Sequence, residues 1–535
     1  MFSFYNLRFK SDRLWLWGFF LAALFLYTHN LGGVPLRDWD EGIVATIARE
    51  IWRANSDSYA WLYPQNLDGT PYWNKPPLIH GLIALSYGYF GVSEWSTRLP
   101  TAIISSLAVP LLYCIGREIF EHRLEAIYAT TVYLTLIPVA RHGRLAMLDG
   151  AVVCFFSLVV WCLLKEGRWQ RAEGRGIYLF GAGFGIGLIC LTKGLALGIL
   201  LGAIAFIFYY LVRPTNYRFK LCFWFFILLG LIPAIAWYVL QIIHYGRDFI
   251  EINLGIQTFN RVVNTVEDNS SPPWYYVLEI AKYTMPWLVF LPGAIQLAVH
   301  QRKEIWAKLA LVWFSIYLVA ISMMATKLPW YVMPIYPAFA LLVGANLAQI
   351  HRKFRVGLIA RTLLIIVAII AWVGSIYYGW FDPGKDRDLL WVLGALALFM
   401  TIANILIKLG NRYFIGAIAI ALYLALLLLF NSTHWNWELG ESYGVKPVAE
   451  MIRRGTPEKQ IIYTSYAYYR PSLNFYSDRI VIPLANQQLP ENITTEGKSI
   501  FLLLAKNDPN FSDLKNSRVV GTTKEWQLVN VSSAK

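Results

Sequence analysis

The chain of 535 residues is 57% hydrophobic and 16% aromatic, and only 15% of its residues are charged. Its mean hydropathy of +0.46 is unlike that of a soluble globular protein, so the sequence predicts a polytopic membrane protein. The net charge is +14, but the basic residues lie between apolar runs and not on one soluble face, which argues against binding to nucleic acid.

The cysteines all fall inside apolar runs, which predicts neither a disulfide framework nor a metal cluster. They are Cys114, Cys154, Cys162, Cys190 and Cys222. We interpret them as small buried hydrophobic residues.

Apolar segments of membrane-spanning length recur along the chain, and we predict about 13 transmembrane helices. The first, residues 14–33, is long for a signal peptide and lacks a small-x-small cleavage site, so it is expected to be a retained span. The others are 98–116, 124–140, 148–164, 177–191, 195–212, 219–241, 274–299, 306–324, 330–348, 356–378, 389–407 and 413–430.

Alternate connections between these spans are basic, and they include REIFEHR, KEGRWQRAEGR, RPTNYRFK and HRKFRVGLIAR. The positive-inside rule therefore places the N-terminus and these connections in the cytoplasm. The long loop 34–98 lies on the opposite, outer side, and an odd number of spans places the tail after residue 430 there as well. We predict a transmembrane domain over 1–430 and an extracytoplasmic domain over 431–535.

The tail is predicted to be a small α/β domain. Its apolar runs IIYTSY, IVIPL and SIFLLLA are short and typical of strands, whereas KPVAEMIRR has helical spacing.

The first outer loop begins with DWDEGIVATIAREIW, in which Ile43, Val44, Ile47 and Ile51 recur at helical spacing. This pattern predicts an amphipathic helix lying at the membrane surface. Asp38, three residues before an acid, is expected to be the helix N-cap. Asp40 and Glu41 follow in the first turn. Asp40 is either a first-turn acid favoured by the helix dipole or a functional group.

Lys75 lies in the stiff segment NKPP of the same loop, where it either contacts lipid phosphates or belongs to a site. Further polar residues accumulate at outer span ends. They are Arg141, His142, Arg144, Asp149, Lys193, Arg261 and Lys327. Single basic residues at span ends usually only snorkel. Several cations sharing one face with one or two acids predict a site that binds a lipid phosphate and transfers a proton beside it.

Seven motifs then occur in a fixed order. They are Asp40-Glu41 followed by AREI, GTPYWNKPPL, FGVSEWSTRLP, RLAMLD, LTKG, PWYYVL with PWLVFLP, and KLPWYVMPIYPAFALLVG. Over most of the membrane region the chain thereby resembles the polyprenyl-phosphate-sugar-dependent glycosyltransferases of the C-type (GT-C) superfamily, which includes protein O-mannosyltransferases and the aminoarabinose transferase of lipid A.

The resemblance implies a GT-C fold and an outer active site. By position, it implies that Asp40, with its neighbour Glu41, lies at the reaction centre and that Lys75 binds the lipid phosphate. Asp149 corresponds to the family's acid in the second outer loop. Tyr331 corresponds to the family's tyrosine after the KLP motif. The chain departs from the aminoarabinose enzymes, which have Arg-Tyr in place of Ile43-Val44 and an acid in place of Asn74, so neither lipid A nor aminoarabinose is predicted as a substrate.

The expected reaction is an inverting transfer of a sugar from a polyprenyl-phosphate carrier to a lipid, glycan or protein acceptor. Asp40 would act as the general base toward a hydroxyl acceptor, and Lys75 would stabilise the leaving phosphate. The candidate helpers of Lys75 are Arg98, Arg141, Arg144, Lys193 and Lys327. We expect the carboxylate of Asp40 and the ammonium of Lys75 to meet in one pocket. The motif DWD permits a divalent metal, but no His/Cys set has ligand spacing, so neither metal nor cofactor is predicted.

Two other functions remain open at this point. A transporter or flippase would show repeat symmetry and ionisable groups at the bilayer centre, whereas the acids here lie at span ends. A glycan ligase or polymerase using a lipid diphosphate carrier would need similar outer cations, and only its product distinguishes it. For the enzyme, we expect a location in the bacterial inner membrane with the active site on the periplasmic face.

Overall fold

The computed structural model describes residues 5–54, 59–166, 175–212, 221–260, 263–265, 270–384, 386–437, 443–484, 500–506 and 517–531. The chain divides into two compact units. The helical unit comprises residues 1–31, 73–79 and 98–435, and the α/β unit comprises residues 32–72, 80–97 and 436–535. The sequence had placed one boundary at residue 430, whereas in the structure segments of the first outer loop share a unit with the C-terminal residues.

The described residues of the first part of the chain include helices α1 to α11. They are α1 (Tyr5–Thr28), α2 (Ile43–Arg53), α3 (Leu78–Phe90), α4 (Glu94–Ile119), α5 (Arg123–Leu134), α6 (Ile137–Arg144), α7 (Asp149–Glu166), α8 (Arg175–Lys193), α9 (Leu195–Val212), α10 (Leu221–Tyr245) and α11 (Arg247–Phe249). Two π-helical segments, Asp38–Gly42 and Ile250–Asn260, precede α2 and follow α11.

The helices continue to the end of the membrane region. They are α12 (Tyr275–Tyr283), α13 (Leu291–His300), α14 (Ile305–Met323), α15 (Tyr336–Lys353), α16 (Leu358–Ile376), α17 (Arg387–Lys408) and α18 (Phe414–Asn431). Short 3₁₀ segments, Trp287–Phe290 and Pro329–Ile335, precede α13 and α15, and a π-helical segment, Tyr377–Phe381, follows α16.

The predicted polytopic helical membrane protein is confirmed. Within the described residues, 9 helices are long and apolar enough to span a membrane, or up to 10 if the bent pair α6 and α7 is one span. The number of about 13 spans stays a prediction. Two predicted segments are divided in the structure, 124–140 into α5 and α6 and 274–299 into α12, a 3₁₀ turn and α13. Prolines explain the divisions, since Pro138 and Pro292 lie in the first turns of the new helices.

Close helix crossings in the helical unit depend on glycine. A Cβ atom at Gly183 on α8 would collide with the carbonyl oxygen of Ile227 on α10, and one at Gly230 would collide with the backbone of α8. Small residues let transmembrane helices approach closely, and this approach supplies their van der Waals packing. The glycines of α8 and α10 therefore set the distance between these helices.

We expect Gly183→Ala to lower the free energy of unfolding by about 1–3 kcal/mol, because the added methyl group forces two backbones apart. The matched control is Gly416→Ala on α18, where a Cβ would meet nothing within 4 Å. Thermal unfolding of the purified variants in detergent compares them. Equal unfolding temperatures for Gly183→Ala and the wild type would show that the crossing adapts without cost.

The α/β unit contains helices α19 (Val445–Gly455) and α20 (Pro471–Ser477) and a five-stranded sheet. The strands are β1 (Ile461–Thr464), β2 (Ile480–Pro483), β3 (Ile500–Ala505), β4 (Ser517–Thr522) and β5 (Trp526–Val531), in the order β2-β1-β3-β5-β4. Strands β2, β1 and β3 are parallel, and β5 and β4 continue the sheet antiparallel. This confirms the predicted small α/β domain. The apolar runs named above form β1, β2 and β3, and KPVAEMIRR lies within α19.

Helix α2 packs its apolar side against protein, and its predicted position on the membrane surface stays a prediction. Ala45 packs with Leu36 and with Phe475 of α20. Ile47 and Ile51 pack in a second cluster with residues of α3 and the preceding loop. The apolar stripe of α2 is thus buried within the α/β unit. The sequence pattern does not distinguish this burial from contact with lipid, because either one removes the apolar side chains from water.

Candidate active site

Lys75 lies in a segment that is fixed to the π-helical segment Ile250–Asn260. Asn253 donates a hydrogen bond from Nδ2 to the carbonyl oxygen of Trp73 at 2.7 Å, and Gln257 donates from Nε2 to Oδ1 of Asn74 at 3.3 Å. The rings of Trp73 and Tyr245 make an edge contact with centroids 5.2 Å apart. These contacts, together with the two prolines that follow, hold the backbone of Lys75 in place.

The side chain of Lys75 lines a cleft of about 290 Å³ in the helical unit, together with Lys193 and Tyr331. The other lining residues are Ala196, Leu197, Leu200, Gln257, Tyr317, Ala320, Ile321 and Met324. The cleft thus combines two ammonium groups with walls of aliphatic side chains from α9 and α14. Such a surface suits an amphipathic anion whose charged head meets the lysines and whose apolar part meets the aliphatic walls.

Lys193 ends helix α8 and is held from two directions. Its Nζ donates a hydrogen bond to Oδ1 of Asp149, the first residue of α7, and lies 5.3 Å from the ring centroid of Tyr331. Tyr317 donates from its hydroxyl to the carbonyl oxygen of Tyr331 at 3.0 Å, which fixes that ring's backbone. Asp149, predicted to be catalytic, is therefore the ion-pair partner of a lysine in the cleft.

We expect Asp149→Ala to lower the free energy of unfolding by about 3 kcal/mol, because it leaves the largely buried charge of Lys193 without its carboxylate. A matched control is Glu450→Ala, which breaks an exposed pair with Arg454. This control should cost less than about 1 kcal/mol. Unfolding temperatures measured by intrinsic fluorescence compare the variants, and an equal loss in both would contradict a special role for the Asp149 pair.

Lys327 lies near the cleft in sequence but contacts backbone instead. It is buried, and its Nζ donates to the carbonyl oxygen of Met324, just beyond the end of α14. The next residue, Leu328, donates its backbone N–H to the hydroxyl of Tyr276 at 3.2 Å. Lys327 is not among the described residues that line the cleft.

Three buried arginines gather around Trp435, beyond the end of α18. The guanidinium carbon of Arg98 lies 5.0 Å from the Trp435 ring centroid, and that of Arg144 lies 4.2 Å from it. Arg141 donates from Nε to the carbonyl oxygen of Trp435 at 2.8 Å. Arg98 also donates to the carbonyl oxygen of Leu31 at 2.7 Å. None of the three is among the described residues that line the cleft, and their predicted part in phosphate binding stays a prediction.

The predicted ligand Arg261 lies outside the described residues.

Asp40 and Glu41 lie in the α/β unit, on the π-helical segment Asp38–Gly42. Oδ2 of Asp40 lies 3.9 Å from Nη2 of Arg37, and the Asp40 side chain is 23% exposed. Glu41 is fully buried and accepts a hydrogen bond at Oε2 from the backbone N–H of Arg37 at 3.0 Å. Of the two acids, Asp40 is thus the more accessible and Glu41 helps close the turn. That Asp40 meets Lys75 in one pocket stays a prediction.

Asp38 is not the helix N-cap that the sequence predicts. The residue before the turn is Arg37, which is extended and makes no side-chain capping hydrogen bond. The Asp38 carboxylate instead accepts a hydrogen bond from Nε of Arg470 at 2.6 Å. An ion pair with a residue more than 400 positions away gives no signal in the local sequence, whereas a cap does.

Asn253, Gln257 and Tyr317 were not singled out from the sequence. Asn253 and Gln257 lie four residues apart, at the spacing that puts two side chains on one helical face, and this polar pair was the available signal. Tyr317 lies within an apolar span and gives no comparable signal.

Comparison with known proteins supports the resemblance. Residues 74–239 match the family described as dolichyl-phosphate-mannose-protein mannosyltransferase. An undecaprenyl phosphate-α-4-amino-4-deoxy-L-arabinose arabinosyl transferase of Aeromonas hydrophila is 27% identical over 384 residues, covering 69% of this chain and 68% of the relative. One from Proteus mirabilis is 26% identical over 400 residues, covering 71% of each chain.

Solved structures share the fold. ArnT from Cupriavidus metallidurans bound to undecaprenyl phosphate has a TM-score of 0.79 at 19% identity and covers 96% of this chain and 98% of its own. The Archaeoglobus fulgidus oligosaccharyltransferase has a TM-score of 0.52 at 13% identity and covers 92% and 68%. The chain is therefore a membrane protein with the GT-C fold, and it is similar to the polyprenyl-phosphate-sugar-dependent glycosyltransferases of the aminoarabinose transferase type.

Proposed function

We propose that this protein is an inverting glycosyltransferase that moves a sugar from a polyprenyl-phosphate carrier to an acceptor at the membrane surface. The observation that carries the proposal is the cleft in which Lys75 and Lys193 share one cavity with aliphatic walls. A polyprenyl phosphate has the matching chemistry, an anionic head on a long apolar chain. The relatives named as undecaprenyl-phosphate-dependent transferases support the same donor class.

The lysines act on the leaving group. When the acceptor oxygen attacks the anomeric carbon, the bond from that carbon to the phosphate oxygen breaks and negative charge develops on the phosphate. The ammonium groups of Lys75 and Lys193 offer charge-assisted hydrogen bonds to that charge in a partly dry cleft, where such bonds are stronger than in water. Asp149 keeps Lys193 in place and limits its motion.

Asp40 is proposed as the general base for a hydroxyl acceptor. The proton of the attacking hydroxyl passes to the carboxylate as the new glycosidic bond forms, and one direct displacement inverts the anomeric centre. Glu41 supports Asp40 by closing the turn on which it lies. Arg98, Arg141, Arg144, Arg261 and Lys327 remain proposed as further donor-binding residues on the basis of the resemblance. No metal is proposed, because cationic side chains supply the charge that a monophosphate leaving group needs.

The structure gives a context to the first difference from the aminoarabinose enzymes, which have Arg-Tyr in place of Ile43-Val44. Val44, where the aminoarabinose enzymes have a polar residue, is buried, and Ile43 packs against the cluster of Ile47 and Ile51. An apolar position in this cluster offers no hydrogen bond to a lipid phosphate. We therefore propose an acceptor other than lipid A.

The protein is proposed to act in the bacterial inner membrane with its cleft on the periplasmic side, in keeping with the basic connections assigned to the cytoplasm. The test is to incubate the purified protein with undecaprenyl-phosphate sugars, including the aminoarabinosyl and mannosyl compounds, and to measure free undecaprenyl phosphate by mass spectrometry. Release from at least one donor supports the proposal, whereas transport of an intact lipid without release would favour a flippase.

A further inference from the structure

A segment of the C-terminal domain lies against the acidic turn that carries Asp40. We propose that Arg470 and Ser472 are positioning residues, which hold Asp38 and thereby fix the turn Asp38–Gly42 so that Asp40 is set for proton transfer. This rests on the proposed role of Asp40 as the base, and it gives the C-terminal domain a part in the reaction. All residues concerned belong to the α/β unit.

The carboxylate of Asp38 is buried and receives several hydrogen bonds. Arg470 donates from Nε to Oδ2 at 2.6 Å, and Ser472 donates to Oδ1 from both its hydroxyl and its backbone N–H, the latter at 3.3 Å. Arg470 is itself fixed, since it donates from Nη1 to the carbonyl oxygen of Tyr443 at 3.0 Å and lies 4.2 Å from that ring's centroid. Charge-assisted bonds of this kind are the strong ones in proteins.

Gly42 shows how closely the turn is seated on this segment. A Cβ atom there would lie 2.6 Å from the backbone nitrogen of Ser472 and 2.9 Å from the carbonyl carbon of Pro471. The φ of Gly42 is −61°, which any residue adopts, so the close approach and not the backbone conformation requires glycine. The turn and the start of α20 are therefore in direct backbone contact.

The same stretch of the C-terminal domain holds the helix that follows the turn. Arg49 donates from Nη1 to the carbonyl oxygen of Phe475 at 2.6 Å and lies 2.9 Å from Oδ1 of Asp478. Burial alone would raise the pKa of Asp478, but the hydrogen bond from Arg53 and the charge of Arg49 hold that pKa below its ordinary value. Asp478 is thus an anion at neutral pH, and α2 is tied to the C-terminal domain through Arg49.

The turn itself transmits the constraint. Gly42 donates its backbone N–H to the carbonyl oxygen of Arg37 at 2.9 Å, which closes a single π-helical turn. Asp38 and Asp40 lie two residues apart on that turn, so a rotation that follows the loss of the Asp38 contacts also moves the Asp40 carboxylate. A shift of about 1 Å in a reacting group costs about 10²-fold in rate. Single π-helical turns are frequent at functional sites.

The test uses the full-length protein in lipid nanodiscs, with an undecaprenyl-phosphate sugar that the wild type consumes as the probe. We expect Arg470→Gln to lower kcat about 10²-fold. The KM for the donor should change less than about twofold, because the proposed donor residues Lys75 and Lys193 remain intact. Arg470→Lys, which keeps the charge, should recover part of kcat. The matched control is Arg454→Gln, which breaks an exposed ion pair with Glu450 in the same unit and should keep the wild-type kcat.

Asp38→Asn serves as a second variant of nearly unchanged shape if Arg470→Gln does not fold, and it should show the same split between kcat and KM. The double variant of Asp38→Asn and Arg470→Gln should be no slower than the slower single variant, because the two substitutions remove the same contact between Asp38 and Arg470. Equal losses in Arg470→Gln and Arg454→Gln would indicate a general effect on stability and overturn the inference. A wild-type kcat in Arg470→Gln, with Asp40→Asn inactive, would overturn the positioning role alone. Full activity in Asp40→Asn would overturn the proposed base and the positioning role with it.

Discussion

Replacing Lys75 by alanine is expected to lower kcat for release of the lipid phosphate by about 10²- to 10³-fold. Removal of one preorganised donor to a developing charge has this effect in other enzymes. The side chain lines the cleft, and the segment that carries it is held at Trp73 and Asn74 by Asn253 and Gln257, so we expect its ammonium to be positioned before the reaction. Initial rates of undecaprenyl phosphate release, with a donor that the wild type uses, measure the effect.

The matched control is Lys353→Ala, which removes an exposed lysine at the end of α15 and should leave the rate unchanged. Lys75→Arg keeps the charge and should retain more activity than Lys75→Ala, although a planar guanidinium presents its donors differently. Wild-type rates in Lys75→Ala would show that the cleft does not bind the leaving phosphate.

Asp40→Asn is expected to lower kcat by about 10²- to 10⁴-fold when the acceptor is a hydroxyl, since this is the usual contribution of a general base. Asparagine keeps nearly the same shape and cannot accept the proton. With a phosphate acceptor, which is already anionic, the loss should be much smaller. The size of the effect, measured by transfer assays with each acceptor class, therefore reports which class the enzyme uses.

Glu450→Gln, at an exposed position of α19 in the same unit, is the control for the removal of a carboxylate and should have no effect. If Asp40→Asn were as active as the wild type with a hydroxyl acceptor, Asp40 would not be the base.

Much of the fold follows from the sequence because a bilayer requires long apolar helices, and within the described residues each predicted span overlaps helical structure. The points at which a predicted span divides into two helices are harder to predict. Residues 124–140 are mostly apolar, yet Pro138 lies in the first turn of a new helix, and hydropathy alone does not register this helix break. The α/β domain was recognised from three apolar strands, whereas β4 is almost wholly exposed and gives no such pattern.

The candidate site was predicted in part. Lys75, Lys193 and Tyr331 lie far apart in the sequence and line one cleft, as expected for outer polar residues of a shared site. Arg98 and Arg144 lie over the ring of Trp435, and an arginine at a span end looks the same in sequence whether its partner is a phosphate or an indole ring. The pairing of Asp38 with Arg470 depends on the tertiary fold and could not be derived from local spacing.

The central claim is that the cleft lined by Lys75 and Lys193 binds the phosphate of a sugar carrier and releases it. The most direct measurement is the mass-spectrometric assay of free undecaprenyl phosphate with a panel of undecaprenyl-phosphate sugars, for the wild type beside Lys75→Ala. We predict stoichiometric release coupled to sugar transfer in the wild type and its near-complete loss in the variant. Release that is equal in both proteins would contradict the account.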